Sequence, residues 1–214
     1  MHVIKLRAEW WKGEFELALK NNIYTIDNFI TTEEATQVIN LFDENNDTGR
    51  WQADSGGVLT NLIETTHPFH SIIENRLLPT ASSLYGRRVT VYLHPYARKF
   101  RNNAYLDIHC DSEAEDDNGP LPAASFNTFN QYSPMLIEYA ANIYLNNDYD
   151  GGELVFHKLG YTLKPKANQL IVFPSGIEYE HSVSKVSNGS RISVVVFLTT
   201  EKLIILNDMI EKSS

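Results

Sequence analysis

The stretch His181-Ser182-Val183-Ser184-Lys185-Val186-Ser187-Asn188-Gly189-Ser190-Arg191-Ile192-Ser193-Val194-Val195-Val196-Phe197-Leu198 decides how the chain is read. From Ile192 onward it is almost wholly apolar and rich in β-branched residues, which is the texture of a strand buried on both faces. Arg191 opens that strand. A buried guanidinium without a partner is costly, so an anion is expected beside it. A ligand carboxylate suits the guanidinium fork; an arginine–carboxylate pair within the protein is the competing reading. Asn188-Gly189 marks a turn back toward His181. A two-residue turn would pair Ser187 with Ser190 and put His181 and Arg191 on opposite faces. A three-residue loop of Ser187, Asn188 and Gly189 would pair Val186 with Ser190. His181, Val183, Arg191, Ser193 and Val195 then share a polar-lined face, and Ile192, Val194, Val196 and Leu198 share an apolar one. The second register is the expected one.

Upstream, Pro174-Ser175-Gly176 is a turn signal ahead of His181, and His109-Cys110-Asp111 lies farther back. On a strand, positions i and i+2 face the same side, so His109 and Asp111 would converge while Cys110 turns into packing. A surface histidine beside an acidic loop is the competing reading of that pair. Further strands are expected at 89–94, 104–111, 136–146, 153–157 and 169–173. Residues 23–30 read as a strand and turn. Thr31 and Glu34 form a capping-box signature for a helix to about residue 44, with Ala35, Val38, Ile39 and Phe42 as its apolar stripe. A second helix is expected after Pro68, with Ile72, Ile73, Leu77, Leu78, Ala81 and Leu84 inward, ending near Gly86. The first 20 residues read as a strand or short helix, and 201–211 as a closing helix. Helices first and short strands later suggest a sandwich or barrel braced by helices.

The length of 214 residues suits one domain. Its expected parts are helical support over 22–86, a β core over 89–200 and the helix at 201–211. A formal net charge of −9 argues against a nucleic-acid partner, which requires a basic footprint. Cys110 is the single cysteine, so no intramolecular disulfide can form. No apolar run reaches membrane-span length and the N-terminus does not read as a signal segment, so a soluble, cytoplasmic protein without a membrane partner is expected. His67 and His70 flank a helix start, and His2, His94 and His157 read as ordinary surface or core residues. Gly151-Gly152 reads as a tight turn.

Taken together, Tyr144-Leu145-Asn146, the run Asp150 to Phe156, the run Pro165 to Pro174, His181-Ser182-Val183 and Arg191 resemble the prolyl 4-hydroxylase-like branch of the iron(II)/2-oxoglutarate oxygenases. The stretch from Asp27 to Glu34 is similar to that branch's entry into its first helix. The resemblance covers roughly residues 22–200. It implies a mainly β fold with supporting helices, a double-stranded β-helix or jelly roll whose helices pack on the major sheet. It makes His109, Asp111 and His181 the metal and catalytic triad. Arg191 and Tyr144 would hold the distal carboxylate of 2-oxoglutarate. Tyr96 is the counterpart of a tyrosine that usually lies about ten residues before the first histidine; here it is farther away, as though an insertion displaced the strand. The implied cofactors are iron(II), 2-oxoglutarate and dioxygen, with ascorbate as an accessory. The implied reaction is hydroxylation of a C–H bond, on a prolyl residue of a peptide or protein, with 2-oxoglutarate decarboxylated to succinate. A carboxylate at position 111 fits hydroxylation rather than halogenation, which needs that ligand position vacated. The alternatives are a hydroxylase of a free amino acid or small metabolite, and a non-catalytic cupin-like binding module. Residues 112–134 are expected to form a flap over the metal, and Arg98, Lys99 and Arg101 a basic cluster beside it.

Overall fold

The computed structural model describes residues 2–6, 15–42, 52–53, 57–91, 95–112 and 137–200. Sixteen strands lie in these segments. Six precede the core: β1 (His2–Leu6), β2 (Phe15–Lys20), β3 (Ile23–Ile26), β4 (Gln52–Ala53), β5 (Val58–Leu62) and β6 (Val89–Val91). The next five are β7 (Tyr96–Phe100), β8 (Leu106–His109), β9 (Tyr139–Tyr144), β10 (Asp150–Gly151) and β11 (Leu154–Phe156). The last are β12 (Tyr161–Leu163), β13 (Leu170–Pro174), β14 (His181–Val183), β15 (Val186–Ser187) and β16 (Arg191–Thr200). A large sheet runs β1-β2-β3-β13-β9-β16-β7-β5-β4, with β6 also on β16, and a small sheet runs β12-β11-β14-β8. The two-stranded β10-β15 ribbon stands beside them. From β7 onward the chain crosses repeatedly between the two main sheets, which winds it as the expected double-stranded β-helix.

All ten residues of β16 are buried. Ile192, Val194, Val196 and Leu198 join one apolar cluster with Val38, Phe69, Ile73, Leu77 and Ala81 of the helices. Val195 and Phe197 join a second cluster with Leu154, Phe156 and Val183 of the small sheet. Burying an aliphatic side chain contributes roughly 1.5–3 kcal/mol. A strand apolar on both faces therefore requires a layer on each side, with helices behind the large sheet and the small sheet in front.

The faces of this strand are as expected, but the expected hairpin does not exist. β14 pairs with β11 and β8, whereas β16 pairs with β9 and β7. His181 and Arg191 face one another from opposite sheets. The crossing passes through Asn188 and Gly189, both at positive φ, and Asn188 donates to Asp150 at 2.7 Å.

The N-terminal region is less helical than expected. The first 20 residues supply β1 and β2, the strand of the two readings, whereas β5, inside the expected helical support, extends the large sheet against β7. Helix α1 (Thr32–Ile39) ends before residue 44, and a 3-10 turn (Asn40–Phe42) carries Phe42 into the core. α2 (Phe69–Ile72) and α3 (Leu78–Tyr85) are joined by a π-helical turn (Ile73–Leu77) and end on Gly86 at φ 63°. The histidines at the start of α2 are structural: His67 Nδ1 accepts from the Phe69 amide, and His70 Nε2 lies 3.1 Å from the Ile63 carbonyl. The expected helix at 201–211, the segment 113–136 and His94 lie outside the described residues. Among the described residues, no helix is long and apolar enough to cross a membrane.

The Thr31 capping box forms as read. Its Oγ1 accepts from the Glu34 amide and its own amide donates to Glu34 Oε2 at 2.8 Å. The same carboxylate takes two bonds of 2.9 Å from Arg76, which also donates to the Phe29 carbonyl. One side chain thus caps α1 and ties it to the π turn. Glu34→Ala is expected to lower stability by about 2 kcal/mol in urea unfolding, since a cap and a bidentate ion pair are lost together. A change within 0.5 kcal/mol would show that this junction adds little.

Candidate active site

β14 and β8 are antiparallel neighbours, and their register sets His181 directly opposite His109. Cross-strand partners share a face, so both imidazoles project toward the large sheet. Asp111 follows at the end of β8. His109 Nε2 lies 3.7 Å from Asp111 Oδ1, and His181 Nε2 lies 3.9 Å from Oδ2. One donor atom from each residue falls within 4.8 Å of the others, and Asp111 and His181 are buried. Cys110 is buried and takes no part in this cluster.

The backbone orients both rings. His109 Nδ1 sits 2.8 Å from the Asp107 carbonyl, and His181 Nδ1 sits 3.0 Å from the Tyr179 carbonyl. A carbonyl can only accept, so the proton belongs on each Nδ1 and the Nε2 lone pairs point to the shared centre. Phe156 and Phe173 pack against the His181 ring at centroid distances of 5.6 and 5.0 Å. Burial pushes the His181 pKa down to about 4, outweighing the opposite pull of Asp111. The ring is therefore neutral near pH 7, as a metal ligand must be. Two imidazoles turned Nε2-first to one centre and one carboxylate, clustered on one side of a cleft, suit a divalent metal with free positions, and non-haem iron(II) above others.

The triad opens on a cleft walled on the large-sheet side by Tyr96, Phe100, Asn142, Arg191, Ser193 and Val195. Arg191 is 2% exposed and lies between the Phe100 and Tyr144 rings, 4.7 and 4.9 Å from their centroids. Its Nη2 donates to the Tyr144 hydroxyl oxygen at 3.0 Å, while its Nε has no acceptor. Among the described residues no carboxylate pairs with this guanidinium. Burial raises the Tyr144 pKa against the pull of Arg191, so the hydroxyl keeps its proton and can donate it to a ligand. The alternative of an internal ion pair for Arg191 is thus not what the described residues form; the guanidinium lines the cleft, and the fully buried Tyr144 accepts from its Nη2. Gly152, at φ 67°, makes room for the arginine, because a Cβ there would come within 3.0 Å of Arg191 Cδ and 2.8 Å of the Tyr149 ring.

Tyr96 also stands in the cleft wall. Its long separation from His109 is absorbed by the turn before β8 and by a register shift in the β8–β14 ladder. Burial raises its pKa to about 12, with Arg98 opposing and Asp111 adding to the rise. The basic cluster, by contrast, comes apart. Arg98 lines the cleft, Lys99 turns to the other face toward the Phe42 ring, and Arg101 is exposed beyond the strand. Arg98, Asn142 and Ser193 were not singled out as site residues. The alternation Tyr96, Arg98, Phe100 is the signal that separates Arg98 from Lys99, and it is obscured where Arg98, Lys99 and Arg101 read together as one basic cluster.

A family model described as the 2OG-Fe(II) oxygenase superfamily matches residues 90–199. Prolyl 3-hydroxylase 2 of Mus musculus is 32% identical over 113 residues, covering 48% of this chain and 15% of the relative. The Homo sapiens protein of that name is 31% identical over the same length, covering 14% of the relative. The chain thus spans about a seventh of the length of these relatives. Among solved structures, the viral collagen prolyl hydroxylase of Paramecium Bursaria Chlorella virus-1 is similar with a TM-score of 0.60 at 17% identity, covering 84% of this chain and 96% of that one. A Trichoplax adhaerens prolyl hydroxylase in complex with a hypoxia inducible factor peptide fragment gives 0.61 at 15% identity, covering 86% of each chain. These structural likenesses bear on the fold, which is shared. With the family model matching half of its length, and the β-helix matching over most of it, the chain belongs to the 2OG-Fe(II) oxygenase superfamily.

Proposed function

We propose that this chain hydroxylates a prolyl residue in a peptide or protein, with iron(II) held by His109, Asp111 and His181 and 2-oxoglutarate anchored by Arg191 and Tyr144. The observation that carries the reading is one shared cleft: a bis-histidine, mono-carboxylate cluster on the small sheet faces a buried arginine on the large sheet that lacks a carboxylate partner among the described residues. A dicarboxylate with a chelating end and a distal end spans such a pair. The prolyl substrate is supported by the names of the relatives, among them prolyl 3-hydroxylases and a structure in complex with a peptide fragment.

Iron(II) and 2-oxoglutarate, when bound, supply oxygen activation coupled to decarboxylation to succinate. The chain's own groups do the rest. The two Nε2 atoms and the Asp111 carboxylate fix the metal on one side of the cleft and leave the other side open. Arg191 and Tyr144 neutralise and orient the distal carboxylate. Phe100, Val195 and Phe197 exclude water around it. Tyr96 places a protonated phenol in the same wall as a cofactor contact.

The direct test incubates the chain with iron(II), 2-oxoglutarate, ascorbate and proline-containing peptides, and reads succinate together with peptide mass. A gain of one oxygen is expected, with NMR giving the ring position. Peptides that stay unmodified while free amino acids gain oxygen would replace the peptide reading with the metabolite one.

Single replacement of His109, Asp111 or His181 by Ala should lower bound metal by at least about tenfold, because each removes one of three ligands. Full metal content in all three variants by elemental analysis would refute the triad. Arg191→Ala should raise the 2-oxoglutarate dissociation constant by at least about thirtyfold, the equivalent of roughly 2 kcal/mol for a desolvated charge pair. Tyr144→Phe should cost about tenfold, one hydrogen bond to a charged group. An unchanged constant in the Arg191 variant would remove its assigned role.

Gly152→Ala tests how Arg191 is positioned. The new methyl group is strained at positive φ and presses on the Arg191 stem. Weaker 2-oxoglutarate binding with unchanged metal content is the expected outcome; equal loss of both would mean a general folding defect.

A further inference from the structure

The cleft holds a second arginine for which the reaction as described has no use. Arg98 lies in the middle of β7 with its side chain on the cleft face. It is half-buried, and its guanidinium sits 5.1 Å from the centroid of the Tyr96 ring. Its Nε is sealed from solvent and has no acceptor. The register puts Ser193 across from it on one side and Thr60 on the other. Both offer hydroxyls and neither offers charge. Among the described residues no carboxylate pairs with Arg98.

Charge balance shows what is missing. The Asp111 and Arg191 charges offset one another across the cleft. In the reading proposed above, the two charges of iron(II) offset the two of 2-oxoglutarate. Among the described residues, Arg98 is then the cleft-lining cation left without a counter-charge, in a space walled by both apolar and polar side chains. A cation held there raises the affinity for an anion and lowers it for another cation.

We infer that Arg98 is a specificity-determining residue that pairs with a carboxylate of the prime substrate, so that the substrate class is an acidic one. The inference rests on the proposed oxygenase site, since it takes 2-oxoglutarate to be matched by Arg191. Position supports it. Arg98 is two residues from Arg191's cross-strand partner Phe100 and two from Tyr96, on the same face of the sheet. Arg98 lines the same cleft as the triad and Arg191, so a molecule held in that cleft is within the guanidinium's field. The carboxylate can come from an acidic side chain next to the target residue of a peptide, or from the α-carboxylate of a free amino acid. In both cases the fork receives it as a charge-assisted pair.

The test measures binding by calorimetry to the protein loaded with iron(II) and 2-oxoglutarate without oxygen, where no turnover intervenes. Two matched pairs of probes are used: a proline peptide with Asp beside the proline against the same peptide with Asn, and free proline against prolinamide. The wild-type protein should bind the acidic member of one pair about tenfold more tightly. The pair that shows the difference identifies the source of the carboxylate. Arg98→Gln should bring the ratio close to one, and Arg98→Lys should keep part of it, because charge survives while the fork is lost. The wild-type comparison varies only the ligand and so does not depend on any variant folding. Equal binding, or none, within both pairs overturns the inference. So does a ratio that survives in Arg98→Gln, or a variant that loses 2-oxoglutarate binding while the ratio persists. Product analysis under oxygen is read separately. An intact, Arg98-dependent ratio with no hydroxylated proline would remove the prolyl reading and leave the acidic-substrate site standing.

Discussion

Every residue of β16 is buried, and a strand with no exposed face must be covered twice. That constraint organises the molecule. Its even-numbered apolar residues, Ile192 to Leu198, demand the helical layer, and its odd-numbered ones demand the small sheet. Hydrogen bonding along both edges, to β9 and β7, places it at the centre of the large sheet. The site follows from the same geometry. The strand's first residue is Arg191, and on the inner face the arginine looks across the gap between sheets at β14 and β8, where His181 and His109 stand in register.

The gap is not filled with apolar side chains, and that has an electrostatic cost. Arg191, Asp111 and His181 are each under a tenth exposed. Removing charge from water is tolerable only where opposite charge or a ligand returns the lost solvation. Here the imidazole gives up its charge, the carboxylate faces two metal-ready nitrogens, and the guanidinium keeps one phenol partner and two aromatic faces. Contacts around the site set the positions of these groups. Two aromatic rings brace His181, backbone carbonyls orient both histidines, and Gly152 leaves the arginine its channel. A site whose ligands are oriented before the metal and co-substrate arrive loses less in ordering them.

Several elements were legible from residues alone because their signals are local. The Thr31 capping box, the Gly86 stop and the inward residues of the second helix depend on neighbours within one or two turns. The strands carrying Tyr144 and Arg191 announced themselves by apolar texture, and those carrying His109 and His181 by short alternation next to turn signals. β5 and β7 did not. β7 holds Arg98 and Lys99 within five residues, and β5 carries Thr60 and Asn61, so neither looks like the interior of a sheet. Their strand form comes from pairing with each other and with β16, and such pairing has no local signature.

By itself, then, the sequence determined which residue types were available for metal and anion binding, the period-2 alternation that sorts β16 into two faces, and the turn chemistry around Asn188-Gly189. The tertiary structure decided which strand each of those residues would meet. His181 and Arg191, ten positions apart, were expected as neighbours on one hairpin, and the fold sends them to different sheets where they face each other across a cleft. It also divided Arg98 from Lys99, turning one cation into the site and one away from it. The reason is physical. Alternation fixes the side of a strand on which a side chain emerges, but the partner opposite is chosen by long-range pairing, whose free energy depends on burying both faces of the same sheet at once.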